Sequence, residues 1–328
     1  MADTATPSPY HGRATTEVIC VSIYYSKLES DALLHVRGPD AARFLQGQTT
    51  CDVNAVDPAH AGLGAYCTPQ GRVICDFLLV QPGEAHYALR MRRSIREHAA
   101  AVFGKYIVFS RAELESERED WQVWAVWGDG AMRGLQQIFP AAPDTKLGCA
   151  AGEDFLLVQV DGDGESFECY LAADSGWPEA LAAAFSQADE AAWQQREIGA
   201  GRARIEPATM ETMVPQALNF DVSGHVSFSK GCYTGQEVVA RLHYRGKSKR
   251  RSYPAVLAEG ATAAPGDPVF GPDTARSIGN VVNYVSTGDG ALLLVSVTTE
   301  AARQALHLEN PDGPVLALQP LPYPLPAD

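Results

Sequence analysis

The chain has no Cys-x-x-Cys pair, no surplus of basic residues and no apolar run long enough to span a bilayer, and each lack excludes a class of function. Its seven cysteines, at 20, 51, 67, 75, 149, 169 and 232, are odd in number and scattered. That pattern suits neither a disulfide framework nor a four-cysteine metal site built by this chain alone. With no secretory leader, it leads to a reduced, cytoplasmic setting. The 26 Lys and Arg are outnumbered by 40 Asp and Glu, for a formal charge of −14, so most of the surface repels phosphate. A general nucleic-acid coat is thereby excluded, and any such contact is local. No membrane partner is expected.

What is present is enough apolar material for real cores. At 328 residues and 46% hydrophobic content, two or three domains are expected. The first 16 residues are polar and proline-bearing, and residues 1–20 are expected as a loose tail. The pattern over 21–118 predicts a first α+β module: a strand at 33–37, a short helix after Gly38-Pro39, and an antiparallel meander over 63–67, 73–80 and 85–91. The meander's turns are Thr68-Pro69-Gln70-Gly71 and Gln81-Pro82-Gly83-Glu84. A helix follows, opened by a Ser94/Glu97 capping box and closed by Gly104.

A second α+β module is expected over 119–245, with its 193–245 segment packing back on the first. Its strands fall at 121–127, 155–160 and 167–172, and its helices at 131–139, after Ser175, and at 189–197. This order repeats the first module, as an ancient duplication would. Trp121, Trp124 and Trp127 do not share one strand face and read as core and inter-module packing. Over 246–328, short β-like runs punctuated by Gly and Pro predict a small closed sheet or barrel.

The most distinctive stretch is Lys230-Gly231-Cys232-Tyr233-Thr234-Gly235-Gln236-Glu237. It reads as a strand through Val226 and Phe228, a glycine turn, then a helix opened by a Thr234/Glu237 capping box. Cys232 would then lie just before a helix start and beside Lys230, where unpaired N–H groups and a cation favour a thiolate. The plain alternative is a small buried hydrophobe. Beyond Val238-Val239-Ala240, the eleven residues RLHYRGKSKRR over 241–251 hold six cations and no acid. They form either a solvated edge or a site for an anionic tail or an acidic protein surface. A cysteine hydrolase would need a histidine and an orienting acid near Cys232, and neither His225 nor His243 stands in a nucleophile-elbow or papain-like context.

KGCYTGQE, followed by Ala-Arg and a Gly-x-x-Lys-Arg stretch, resembles the signature of the YgfZ family of folate-binding proteins. The similarity continues through FLQGQTTCDV (44–53), TPQGRVICDFLLV (68–80), KYIVFSR (105–111), WQQREIGAG (193–201), VPQALNF (214–220) and QPLPYPL (319–325). Members are related to glycine-cleavage aminomethyltransferase and implicated in iron–sulfur cluster assembly and, through it, tRNA modification. The resemblance implies two α+β modules and a C-terminal β-barrel around a central folate cavity. It also implies tetrahydrofolate or a derivative as cofactor and iron–sulfur assembly or client proteins as partners, with direct tRNA contact not dominant.

Folate is flat, conjugated and anionic at one end, so its site needs an aromatic face, polar groups for the pterin and cations for the carboxylates. Trp193 matches the position where the family sets a tryptophan against folate. Lys230, Tyr233, Gln236, Arg241 and Arg245 are the further expected cofactor contacts. Cys232 is the expected functional thiol and a candidate shared ligand to a cluster held with a partner. The family's other tryptophan falls at Asp31 here. Two adjacent acids of the enzyme relatives fall at Cys75 and Asp76, so one acid survives. Asp76 is either a general acid or a hydrogen-bonded structural residue. The expected function is therefore a folate-binding accessory role without self-sufficient catalysis, the alternative being a folate-dependent aminomethyltransferase.

Overall fold

The computed structural model describes residues 23–246, 248–272, 274 and 276–326. The expected tail and Cys20 lie outside the described residues. The fold is mixed α+β: two antiparallel-rich sheets face each other and a closed six-stranded barrel abuts them.

The first sheet runs in the order Gly62–Cys67, Val73–Gly83, His86–Arg92, Asp31–Arg37 and Glu113–Glu115, with every pairing antiparallel. Its long strand Val73–Gly83 is buried at eight consecutive positions. The two-residue side-chain period divides them between two cores. Val73, Cys75, Phe77 and Leu79 pack beneath the helix Arg93–Ile107, where Phe103 stacks on Tyr66 at 4.3 Å. Leu78 and Val80 face the second sheet, and Asp76 shares their parity.

The second sheet runs Ser186–Gln187, Tyr24–Lys27, Trp121–Trp127, Ser166–Ala172, Phe155–Gln159 and Cys149–Ala151. Trp121 and Trp127 turn into the inter-sheet core, while Trp124 turns outward to the cluster under the helices Ala131–Ile138 and Trp177–Ala184. The N-terminal strand Tyr24–Lys27 pairs with Trp121–Trp127, so the first 21–118 stretch does not form one sheet. The helix Glu190–Gly199 bridges the sheets, and beyond it Ile205, Met213, Leu218, Phe220 and Val239 join the first sheet's core.

The barrel is made by Arg250–Ala258, Gly290–Thr298, Gly279–Thr287, Pro268–Phe270, Leu306–Leu308 and Val315–Leu318. Leu306–Leu308 has only three residues, too short an alternation to register in the sequence. Among the described residues no helix is long and apolar enough to cross a membrane.

Local expectations fail at three places. The helix Arg93–Ile107 has Arg92 at its N-cap with no side-chain cap, and it passes through Gly104 because Phe103 and Ile107 bury its last turns. Residues 226–229 form no strand; Ser227 N–H makes a single backbone bond to Thr50 O. The motif helix is Gln236–Arg245, capped by Gly235 at φ 83°. Thr234 does not cap it but donates to Gln48 Oε1 at 3.3 Å.

Glycine is required at that start because the motif turn lies on the first sheet's hairpin. A Cβ on Gly235 would stand 2.5 Å from Thr68 O, and one on Gly71, at φ 71°, would stand 2.9 Å from Val238 Cβ. Each turn occupies the space the other's side chain would need. Gly235→Ala should therefore destabilise the fold by about 1–3 kcal/mol, read as a lowered Tm. Gly231→Ala, with nothing within 4 Å of its added carbon, should melt like wild type. Equal melting of the two variants would show that the contact carries no weight.

Candidate functional site

The three parts of the fold meet at Arg204. Its segment follows the bridging helix, and its buried guanidinium reaches acids from three elements. Nε donates to Asp76 Oδ2 at 2.9 Å, NH2 to Asp31 Oδ1 at 2.9 Å, and NH1 to Glu197 Oε1 at 3.3 Å. The barrel holds its backbone: Arg204 N–H donates to Asn283 Oδ1 at 2.9 Å and Asn283 Nδ2 donates to Arg204 O at 2.8 Å. The barrel strand shifts register between Val281 and Asn283, and such irregularities re-aim a side chain.

Neighbouring pairs extend this network. Arg92 bonds Asp31 at 3.4 Å and Glu206 at 2.9 Å. Arg90 clasps Glu168 through two nitrogens, and Tyr170 Oη donates to the same carboxylate at 2.6 Å. Burial alone would raise the Asp31 carboxyl, but the charges of Arg204, Arg92 and Arg90 outweigh it and hold the group at about 2. Asp76 also accepts Ile205 N–H at 2.6 Å. Its lone pairs are therefore engaged by the segment they anchor, and the structural reading of Asp76 is the one its contacts support.

Beside this network lies a cavity of about 510 Å³, the size range of small-molecule sites. Leu63, Leu78 and Val160 form an apolar wall, Lys146, Arg202, His225 and Tyr323 supply polar groups, and the acids Asp161, Asp163 and Glu168 also line it. Lys146 is exposed at its rim. Arg202 donates to Val160 O at 2.7 Å and has no carboxylate within ion-pair distance among the described residues. Burial pushes its pKa down. His225, lowered to about 3 by burial, is a neutral imidazole whose Nδ1 lies 2.8 Å from Ser223 Oγ. Tyr323 Oη, from the C-terminal strap, donates to Gly201 O at 2.9 Å.

Trp193 is 1% exposed and lies 5.7 Å from Trp127. It is not among the residues lining the cavity but belongs to the apolar cluster of Leu78 and Val160, which are. Its Nε1–H has no hydrogen-bond partner. The tryptophan thus backs the wall, where an open stacking face was expected.

The motif lies elsewhere. Lys230 does not serve the thiol: its Nζ donates to Gln46 O, Thr49 O and Cys51 O at 2.7, 2.7 and 2.6 Å. These carbonyls end the helix Ala41–Gln48, where backbone acceptors lack intrahelical partners. Burial lowers Lys230 to about 8, so it is still an ammonium at neutral pH. Tyr233 is buried with its ring centroid 5.3 Å from that ammonium, and Gln236 Nε2 contacts Gly231 O at 3.5 Å.

Cys232 is the exposed cysteine; the other described ones are buried or partly buried. Arg241 and Arg245 stand exposed on the motif helix, and Arg251, expected among the surface cations, turns inward to Asp221 at 2.6 Å. None of Lys230, Tyr233, Gln236, Arg241 and Arg245 lines the cavity that Asp76 lines. Sequence reasoning missed Arg202 and Arg204. The signals were an acid at Asp31 in place of an aromatic, and two arginines at strand-like spacing after the bridging helix.

The family described as GCVT N-terminal domain matches residues 29–150. Among curated proteins, the chain is 31% identical over 312 residues to the tRNA-modifying protein YgfZ of Yersinia pseudotuberculosis serotype IB (strain PB1/+), covering 92% of each. It is 32% identical over 308 residues to that of Photorhabdus laumondii, covering 91% of this chain and 92% of the relative. With that of Klebsiella pneumoniae (strain 342) it is 30% identical over 326 residues, covering 97% and 98%. In fold it is similar to the crystal structure of glycine cleavage system aminomethyltransferase T from Bartonella henselae. That match has a TM-score of 0.72 at 16% identity and covers 92% of this chain and 86% of that one.

Acid should dissolve the Arg204 network in a defined window. Asp31 titrates at about 2 in the fold against an ordinary 3.8. Its ionised form therefore stabilises the fold fully above pH 4, and the contribution is lost as pH falls through about 2. Denaturant unfolding should show the advantage of wild type over Asp31→Asn shrinking by about 2 kcal/mol between roughly pH 5 and pH 2. A gap independent of pH would remove Asp31 from the network's energetics.

Proposed function

The chain belongs to the YgfZ family of tRNA-modifying proteins, and from that premise we propose that it is a folate-binding accessory protein acting in the cytoplasm in iron–sulfur cluster assembly or repair. Through the cluster-dependent enzymes it would support tRNA modification. The observation that carries this reading is the cavity beside Arg204, which combines an apolar wall with Arg202, a cation that has no carboxylate within ion-pair distance among the described residues.

Those residues fit a reduced folate. Leu63, Leu78 and Val160 would cover a flat ring, and Arg202 and Lys146 would meet the carboxylates. Trp193 would back that wall from the apolar cluster it shares with Leu78 and Val160. Bound there, folate would supply a nitrogen that carries a one-carbon unit. The thiol of Cys232 would act at the surface toward cluster or partner.

Aminomethyl transfer is the second reading, and the contacts of Asp76 weigh against it. A general acid must deliver a proton to substrate, whereas this carboxylate is bonded to Arg204 and Ile205 N–H.

Equilibrium titration with tetrahydrofolate tests the cavity. Arg202→Gln should weaken binding roughly tenfold or more through loss of a charge-assisted bond. The burial of Trp193 makes alanine costly to the fold, so Trp193→Phe, which keeps a ring and removes the N–H, is the informative change and should also weaken binding. Unchanged affinity in both variants would exclude this cavity.

The thiol is tested separately. Cys232→Ser, at an exposed position, should melt within a few degrees of wild type yet fail to restore iron–sulfur enzyme activity in cells lacking the protein. Alkylation of the native chain should select Cys232 over the buried cysteines. Full complementation by the serine variant would reduce the motif to a structural turn.

A further inference from the structure

The outer side of the motif helix Gln236–Arg245 is a second surface with chemistry of its own. Arg241, Tyr244 and Arg245 stand three and four residues apart, so they share one side, away from buried Val239. Lys249 continues the exposed cations beyond the helix end. Among the described residues, no carboxylate lies within ion-pair distance of Arg241, Arg245 or Lys249. Glu237, one turn before Arg241, is the acid on the same side, and Asp221 is taken by Arg251. In a chain of charge −14, this is a local reversal of sign that the protein itself leaves uncompensated.

Tyr244 makes the surface more than a cation cluster. It is 67% exposed, far more than a large aromatic held for packing. Its ring is steadied at one edge by Phe228, with centroids 6.2 Å apart at 77°, and by His243 at 4.7 Å and 82°. His243 is itself stacked on Phe228 at 3.6 Å. Both neighbours meet Tyr244 edge to face, which fixes its orientation. An aromatic platform flanked by uncompensated arginines is the arrangement that holds single-stranded nucleic acid, with bases stacked on the ring and phosphates on the cations.

We propose that the outer side of the motif helix binds a single-stranded RNA segment, with phosphates on Arg241, Arg245 and Lys249 and one base on Tyr244. The site is independent of the folate cavity, none of whose lining it shares. The overall negative charge confines binding to this stripe and makes it weak and salt-dependent. An acidic protein surface would use the same cations but would have no need of an exposed ring.

Fluorescence anisotropy with a short labelled single-stranded RNA tests it at several salt concentrations. Wild type should bind with affinity that falls as salt rises. Arg241→Gln with Arg245→Gln should cut affinity at least tenfold and flatten the log–log salt slope by roughly 1.4, about 0.7 for each phosphate contact. Tyr244→Ala should cost roughly fivefold or more, while Tyr244→Phe retains binding. All three positions are exposed, and matching melting temperatures establish that the variants are folded. Absence of RNA binding by wild type, or affinity and slope unchanged in the arginine variant, would overturn the proposal. Binding of labelled poly-glutamate in place of RNA would equally overturn it and assign the stripe to an acidic protein.

Discussion

Everything in this fold is arranged around one buried guanidinium. Arg204 is bonded to Asp31 and Asp76 of the first sheet, to Glu197 of the bridging helix and, through its backbone, to Asn283 of the barrel. An ion pair taken out of water gives little net stability when complete, but removing one member leaves a charge stranded at a cost of about 3–5 kcal/mol. The network therefore acts less as glue than as a registration device: sheet, helix and barrel can meet in one arrangement that satisfies every charge. That arrangement leaves the adjoining cavity open, with Arg202 beside it and no carboxylate within ion-pair distance of that guanidinium among the described residues.

The overall architecture was legible in the sequence because it is written in period and punctuation. The apolar run over 73–80, bounded by two turn sequences, marked the meander, and the glycine-spaced β runs after 246 marked the barrel. Helix starts were less legible. Both capping-box readings failed because tertiary contact overrode them: Gly235 must face Thr68, and the start of Arg93–Ile107 is held by Arg93 N–H donating to Ser30 O and by buried Ile95. The N-terminal strand joins the second sheet through pairing with residues about a hundred positions away, which no local pattern encodes.

The candidate site was legible in its parts and not in its layout. The motif drew attention to Cys232 and the cations, and the resemblance drew it to Trp193 and Asp76, yet nothing in a linear reading says that these lie in separate regions. Lys230 is the instructive case. Beside an exposed cysteine in sequence, it is turned inward to close the end of another helix with three carbonyl bonds. The motif is thus partly a folding element, and its chemical face is Cys232 with the outer side of the helix that follows. The folate proposal in turn rests on Arg202 and the apolar wall, residues outside the motif.

The most direct test of this account is a crystal structure of the protein with tetrahydrofolate. The account predicts the ligand in the cavity between Leu78, Val160 and Arg202, with the contacts of Arg204 to Asp31 and Asp76 intact. Ligand density outside that cavity, or none at saturating concentration, would contradict it.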